Sequence, residues 1–182
     1  MARWKTFLSR FLPRKEWRKI EFFDERWKNR IRSMSQYLRP TDAVLDLGCG
    51  QMWLKELLTP ENRYHGCDYM DRGPGTLVCD FNARQFPDVK ADVTFISGCL
   101  EYVEDMEWFT AQVAAAAPKC IIAYCILKAG DDKAKRRQNA WVNDLTEEGL
   151  IELMGRHGLL LQTKGERLMS SQVYVFERRG AA

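Results

Sequence analysis

Residues 43–50, Ala-Val-Leu-Asp-Leu-Gly-Cys-Gly, constrain the fold more than any other stretch of the chain. Ala43, Val44, Leu45 and Leu47 surround a single acid, the composition of a strand buried on both faces, and such strands belong to parallel sheets. Gly48 and Gly50 follow at alternate positions, where a backbone without side chains turns tightly and comes close to a ligand. Asp46 stands at the carboxyl end of the strand, where open α/β sheets bind their ligands. A second acid, Asp68, ends the next strand-like run. Together these features predict a site for a nucleoside-type cofactor.

Beyond this strand the pattern alternates. A helix is expected over Met52–Leu58 and a strand over Tyr64–Asp68. A glycine-rich turn at Gly73–Gly75 leads into a short strand at Thr76–Val78. Strands at Asp92–Ile96 and Cys120–Ile126 flank a helix at Met106–Ala117, with Pro118 as the break. Residues 129–140 are polar and charged. Thr146 is placed to cap a helix reaching His157. The last two strands, Leu159–Thr163 and Gln172–Glu177, have no room for a helix between them, so they are expected to pair as an antiparallel hairpin. Alternation of this kind predicts a sheet with helices on both faces.

Upstream, Trp4, Phe7, Leu8, Phe11 and Leu12 form the stripe of an amphipathic helix that Pro13 ends. A second helix is expected from about Arg14 to Leu38. Residues 1–39 carry twelve basic and four acidic side chains, a balance of +8, whereas the remainder carries −5. Such asymmetry marks a face for an anionic surface or a partner. The aromatic and basic residues alternate as interfacial helices require, while no nucleic-acid-binding module is recognisable. Three roles stay open for residues 1–39: a cover over the fold and acceptor pocket, contact with a membrane or protein partner, and, less favoured, contact with nucleic acid. Residues 40–182 form the main domain.

The six cysteines are scattered through apolar segments without a Cys-x-x-Cys pair, as expected of buried thiols in a reducing compartment. His65 and His157 are not at ligand spacing to any cysteine, so no metal is expected. No run approaches the length of a membrane span and no signal peptide is evident, which predicts a cytoplasmic protein.

The residues Asp46-Leu-Gly48-Cys49-Gly50 resemble motif I of the class I S-adenosylmethionine (SAM)-dependent methyltransferases, of the small-molecule and glycan type. Tyr64-His-Gly-Cys-Asp68 is similar to that family's second strand, whose terminal acid holds the ribose hydroxyls. Val78-Cys-Asp80-Phe81 resembles the segment beside the adenine. Phe95 to Asp105, with Ser97-Gly98, resembles the fourth strand and the loop behind it. The resemblance covers roughly residues 40–177, with the motifs in order. It implies a Rossmann-like, doubly wound, mostly parallel seven-stranded sheet with a C-terminal antiparallel hairpin, preceded by N-terminal helices. It also implies SAM as cofactor, held by Asp46, Gly48, Cys49, Gly50, Asp68, Tyr69, Asp80, Phe81, Ser97 and Gly98. Cys99 and Leu100 would add a wall. Where the family often has a third glycine, this chain has Met52.

Methyl transfer from a sulfonium needs alignment and exclusion of water more than covalent help. A hydroxyl acceptor also needs a base, and the sequence offers only Tyr102 and His157 as weak candidates. Tyrosine, with an ordinary pKa of about 10, suits a hydrogen-bonding or packing role better. His157 reads more simply as a helix end. The Asn/Asp-Pro-Pro-Tyr/Phe sequence of amino methylation is missing after the fourth strand. A small-molecule or glycan hydroxyl is therefore the expected acceptor, glycan gaining slightly from Trp141-Val-Asn-Asp-Leu-Thr146. Three alternatives remain: a catalytically weak or inactive SAM-binding scaffold recruited by its basic N-terminus, methylation of RNA or protein, and a nicotinamide-dependent oxidoreductase. The last is disfavoured because the loop lacks the final glycine of the dinucleotide pattern.

Overall fold

All five residues of β1 (Ala43–Leu47) are buried, as an apolar strand with neighbours on both sides and both faces must be. The computed structural model describes residues 17–19 and 21–180. Within it β1 joins six other strands: β2 (Arg63–Asp68), β3 (Leu77–Val78), β4 (Val93–Ser97), β5 (Lys119–Tyr124), β6 (Leu159–Leu168) and β7 (Ser171–Arg178). Their order across the sheet is β3-β2-β1-β4-β5-β7-β6. The first five are parallel, and β7 runs antiparallel between β5 and β6. The architecture and the terminal hairpin are those expected from the sequence. Strand order reverses between β1 and β4, which opens a crevice at their carboxyl ends.

Four α-helices accompany the sheet among the described residues: α1 (Trp27–Ser35), α2 (Met106–Ala116), α3 (Lys133–Gln138) and α4 (Glu147–Arg156). Alternate residues of each strand feed two cores. On one face Val44, Phe95, Ile121 and Val175 pack with Met34 and Ile31 of α1. On the other Leu45, Leu47, Ile96 and Ile122 pack with Phe109 and Val113 of α2 and with Leu150 and Met154 of α4. Thr146 caps α4 by accepting from the Gly149 amide at 3.1 Å. None of the helices is long and apolar enough to cross a membrane among the described residues.

Two expectations about helices need correction, and one helix is added. The Arg14–Leu38 helix is broken. Among the described residues, a 3-10 turn at Trp17–Lys19 and an irregular stretch over 21–26 precede α1, which begins at Trp27. Asp24 stops the helix from running back: its carbonyl accepts from the Trp27 amide at 2.8 Å and its carboxylate from the Arg26 amide at 2.9 Å. The Met52–Leu58 helix shrinks to a 3-10 turn at Lys55–Leu57. Met52 takes a left-handed backbone, φ 54°, and Leu58 is already extended ahead of Pro60, so no second turn can form. In the polar stretch 129–140 the chain instead gains α3. The amphipathic helix expected at Trp4–Leu12 lies outside the described residues.

Candidate functional site

The carboxyl ends of β1, β2 and β4 open onto a cavity of about 470 Å³. All ten residues expected to hold the cofactor line it, although they come from four separate segments. Tyr102 lines it as well. Leu100 does not: it is fully buried in the core, so only Cys99 of the expected pair forms a wall. His157 is also elsewhere. It follows α4, with its Nε2 2.9 Å from Glu107 of α2.

The loop after β1 is built by hydrogen bonds to its neighbour strand. The amides of Gly48 and Cys49 both donate to the carbonyl of Cys67, at 2.8 and 3.0 Å. Gly48 has φ 77°, and a Cβ there would stand 2.6 Å from Cys99 Cβ, so only glycine fits. The Gly50 amide donates to Asp68 Oδ2 at 2.9 Å, which ties the glycine loop to the acid at the end of β2. Arg72 Nη2 donates to the other carboxylate oxygen of Asp68 at 3.1 Å. Asp80 accepts from the Asn82 amide at 3.1 Å, which starts the 3-10 turn Phe81–Ala83, and pairs with Arg18.

Asp46 is buried on the α1 side of the sheet and accepts from the Tyr64 hydroxyl at 2.8 Å. Burial pushes its carboxyl up to about 7; the Tyr64 bond opposes this and the charge of Asp68 adds to it. Tyr102 is pushed up to about 12, by burial and then by Glu101. It keeps its proton at neutral pH, which does not suit a base. Burial likewise raises the thiols of Cys49 and Cys99, so neither is a ready nucleophile.

Four features of the rim had no individual signal in the sequence. Arg30 of α1 reaches the cavity beneath the end of β4. Its Nε donates to Ser97 Oγ at 2.9 Å, its Nη1 to Ser171 Oγ at 3.3 Å and its Nη2 to the Ser97 carbonyl at 3.3 Å. These acceptors are all neutral, and among the described residues no carboxylate forms an ion pair with it. Burial lowers its pKa, against the charge of Glu101. Tyr64 orients Asp46 from across the β1–β2 register. Arg136 of α3 is buried and donates to Asp144 Oδ1 and to the Cys125 carbonyl, both at 2.8 Å. That knot fixes the segment carrying Gln138, Asn139 and Trp141, which form the cavity's far wall. Finally, Glu101 is buried and accepts from the Cys125 amide at 2.9 Å, joining the β4 loop to the end of β5. A buried cation without an ion pair among the described residues and an i, i+8 pair such as Arg136–Asp144 become visible only once the chain is folded.

The overall fold is shared with solved methyltransferase structures. The Burkholderia thailandensis 1,6-didemethyltoxoflavin-N1-methyltransferase, with S-adenosylhomocysteine (SAH) bound, matches at TM-score 0.66 and 15% identity over 88% of this chain and 81% of its own. The magnesium protoporphyrin IX methyltransferase ChlM of Synechocystis PCC 6803, also with SAH, matches at TM-score 0.65 and 16% identity over 96% of this chain and 95% of its own. CalO1, a methyltransferase of calicheamicin biosynthesis, matches at TM-score 0.64 and 15% identity over 83% of this chain, which spans only 54% of CalO1. No protein-family model and no curated protein sequence matches the chain. The fold is therefore that of the class I SAM-dependent methyltransferases.

Proposed function

We propose that the protein is a SAM-dependent methyltransferase acting on a hydroxyl of a small molecule or glycan. One observation carries this: residues chosen for cofactor binding from four separated sequence motifs converge on one cavity of about 470 Å³, a volume suited to a ligand of this size. Solved neighbours of the same fold have SAH or SAM bound, in agreement with that cofactor.

Each end of the cavity offers chemistry for one part of the cofactor. Asp68 accepts hydrogen bonds from vicinal ribose hydroxyls, and Asp80 accepts from an adenine amino group. Asp46 and Arg30 are a buried acid and a buried base, each without an ion-pair partner among the described residues. They provide opposite charges for the ammonium and carboxylate of an amino-acid end. The cofactor supplies a methyl group already activated on sulfur. The protein's part is to orient the acceptor and exclude water, for which Trp27, Tyr102 and Trp141 provide aromatic walls. Such walls stack on a planar ring or on the apolar face of a sugar. With Tyr102 protonated, proton removal from a hydroxyl falls to the acceptor's own acidity or to solvent.

Calorimetry with SAH, alongside NAD, tests the cofactor. Binding of SAH in the micromolar range, lost on Asp68→Ala, is the expected result, and stabilisation by NAD alone overturns the proposal. Incubation with labelled SAM and fractionated cell extract then identifies the acceptor.

A further inference from the structure

Arg72 is absent from every motif in the sequence, yet it occupies the centre of the cavity's sugar end. Its guanidinium bridges two acids from distant parts of the chain. Nη2 donates to Asp68 Oδ1 at 3.1 Å, and Nη1 donates to Glu21 Oε2 at 2.9 Å. Nη2 also bonds the second oxygen of Glu21, so that pair is bidentate. Its central carbon lies over the rings of Phe23 and Tyr69, 5.3 Å from each centroid. The Tyr69 side chain hydrogen-bonds Glu21 as well. The Arg72 side chain is only 9% exposed, and its Nε is a buried donor without a partner. Burial works against its charge, but the bonds to Glu21 and Asp68 outweigh this and raise its pKa.

This arrangement is more than a surface ion pair. Glu21, Phe23, Asp68, Tyr69 and Arg72 all line the same cavity, and the stretch that carries Glu21 and Phe23 forms part of its roof. The Phe23 ring lies so close to the glycine loop that a Cβ on Gly50 would come within 2.6 Å of it. Asp68 itself is tied on one oxygen by the Gly50 amide and on the other by Arg72. Its remaining lone pairs therefore point in a fixed direction. A carboxylate oxygen can accept more than one hydrogen bond, so both oxygens keep capacity for a ligand. Only a guanidinium fork can serve two carboxylates in one plane while stacking on two rings; an ammonium is a point charge.

On the footing that SAM is the cofactor, we propose that Arg72 is a positioning residue for its ribose. It aims the Asp68 carboxylate at the vicinal hydroxyls, and Glu21 latches the roof to it, so that sugar recognition and roof closure act as one unit. The roof stretch is then part of cofactor recognition.

Calorimetry with SAH and with its 2′,3′-dideoxy counterpart tests this on the full chain, comparing wild type, Arg72→Lys and Glu21→Gln. Glu21→Gln is isosteric and lies in the roof, outside the core, so it separates latch from fold. Wild type should prefer SAH. Both variants should lose about 10- to 100-fold in SAH affinity, the range of a hydrogen bond involving a charged group. Affinity for the dideoxy compound should move by less than about 2-fold, so discrimination collapses. A merely structural role lowers both affinities alike and leaves their ratio intact; that result overturns the proposal. Wild type that binds SAH with variants unchanged overturns it too, and leaves the methyltransferase assignment standing. Wild type that binds neither compound sinks both.

Discussion

Two clusters of buried charge sit at the same rim of the sheet, and they are balanced in opposite ways. Around α3, Arg136 and Arg137 both donate to Asp144, and Lys133 lies 3.8 Å from it. Around the glycine loop, Arg30 bonds only neutral oxygens and Asp46 accepts from a tyrosine hydroxyl. Their titration follows the same division. Burial acts to raise Asp144, but bonds from Arg137 and Arg136 carry it below the ordinary carboxylate value. Burial prevails at Asp46, which rises to about 7. A buried charge without a partner costs several kcal/mol, and a pair offsets much of that cost. The paired cluster is scaffold for the cavity wall; the unpaired one would suit the two charges of the proposed cofactor's amino-acid end.

The comparison breaks most decisively at Asp144. Asp144→Asn strands Arg136 in the interior, and removal of one partner from a buried pair costs about 3–5 kcal/mol. The melting temperature should fall by ten degrees or so, at about 2–4 °C per kcal/mol for a chain of this size. A drop of only a degree or two would show that Arg136 does not depend on its acid. Asp144 also predicts loosening in acid. Its folded value is depressed, so its stabilisation is present above 3.8 and lost as pH falls through the folded value.

Asp46 carries the opposite sign. Its folded value is raised, so its contribution is full below 3.8 and is lost as pH climbs to about 7. Asp46→Asn keeps the acceptor for Tyr64 and removes the charge. At pH 8 the unliganded variant should be more stable than wild type by on the order of 4 kcal/mol. The advantage should vanish at pH 4. Equal melting curves across that range would mean that Asp46 has a cation partner after all. With SAH present the order should reverse, because the ammonium gains from the charge that burial penalises.

These contrasts also mark what the sequence could convey. Strand periodicity and the hairpin follow from residues local in the chain, and so do the glycine loop and the acids at Asp46, Asp68 and Asp80. Each of those is positioned by the strand it ends, so sequence order translates directly into place on the rim. Helices fared worse where tertiary contacts compete with propensity. Met52–Leu58 has the composition of a helix, but a left-handed Met52 and Pro60 leave room for one 3-10 turn. Residues 21–26 lie inside the expected Arg14–Leu38 helix, yet Glu21 is drawn to Arg72, 51 residues away. Arg30 was legible only as one of twelve bases in a charged stretch. Whether such a base meets water or a cavity depends on the docking of α1, which no local pattern encodes.

Arg30→Met sharpens the comparison at smaller amplitude. Removing a buried cation that forms no ion pair among the described residues should leave the melting temperature unchanged or raise it, in contrast to Asp144→Asn. SAH affinity should fall by about 10- to 100-fold, the loss expected when a charged hydrogen bond to a carboxylate is removed. Affinity for 5′-methylthioadenosine, which lacks the amino-acid end, should stay within about 2-fold of wild type. Equal losses for both ligands would place Arg30 among the structural charges.

The finest division lies within the paired cluster itself, between two arginines that share one acid. Arg136 is 6% exposed at its side chain and Arg137 is 32% exposed. Arg137 also donates to the Trp141 carbonyl at 2.9 Å, so its loss loosens the wall that carries Trp141. Water can replace much of what a half-exposed guanidinium provides, and such pairs contribute about 1 kcal/mol or less. Arg137→Ala should therefore lower the melting temperature by only about 2–4 °C, and 0.5 M salt should shrink that difference by screening the exposed pair. The effect of Asp144→Asn should persist in the same salt, because the Arg136 pair is screened little. A loss at Arg137 as large and as salt-resistant as that at Asp144 would mean that burial is not what separates the two arginines.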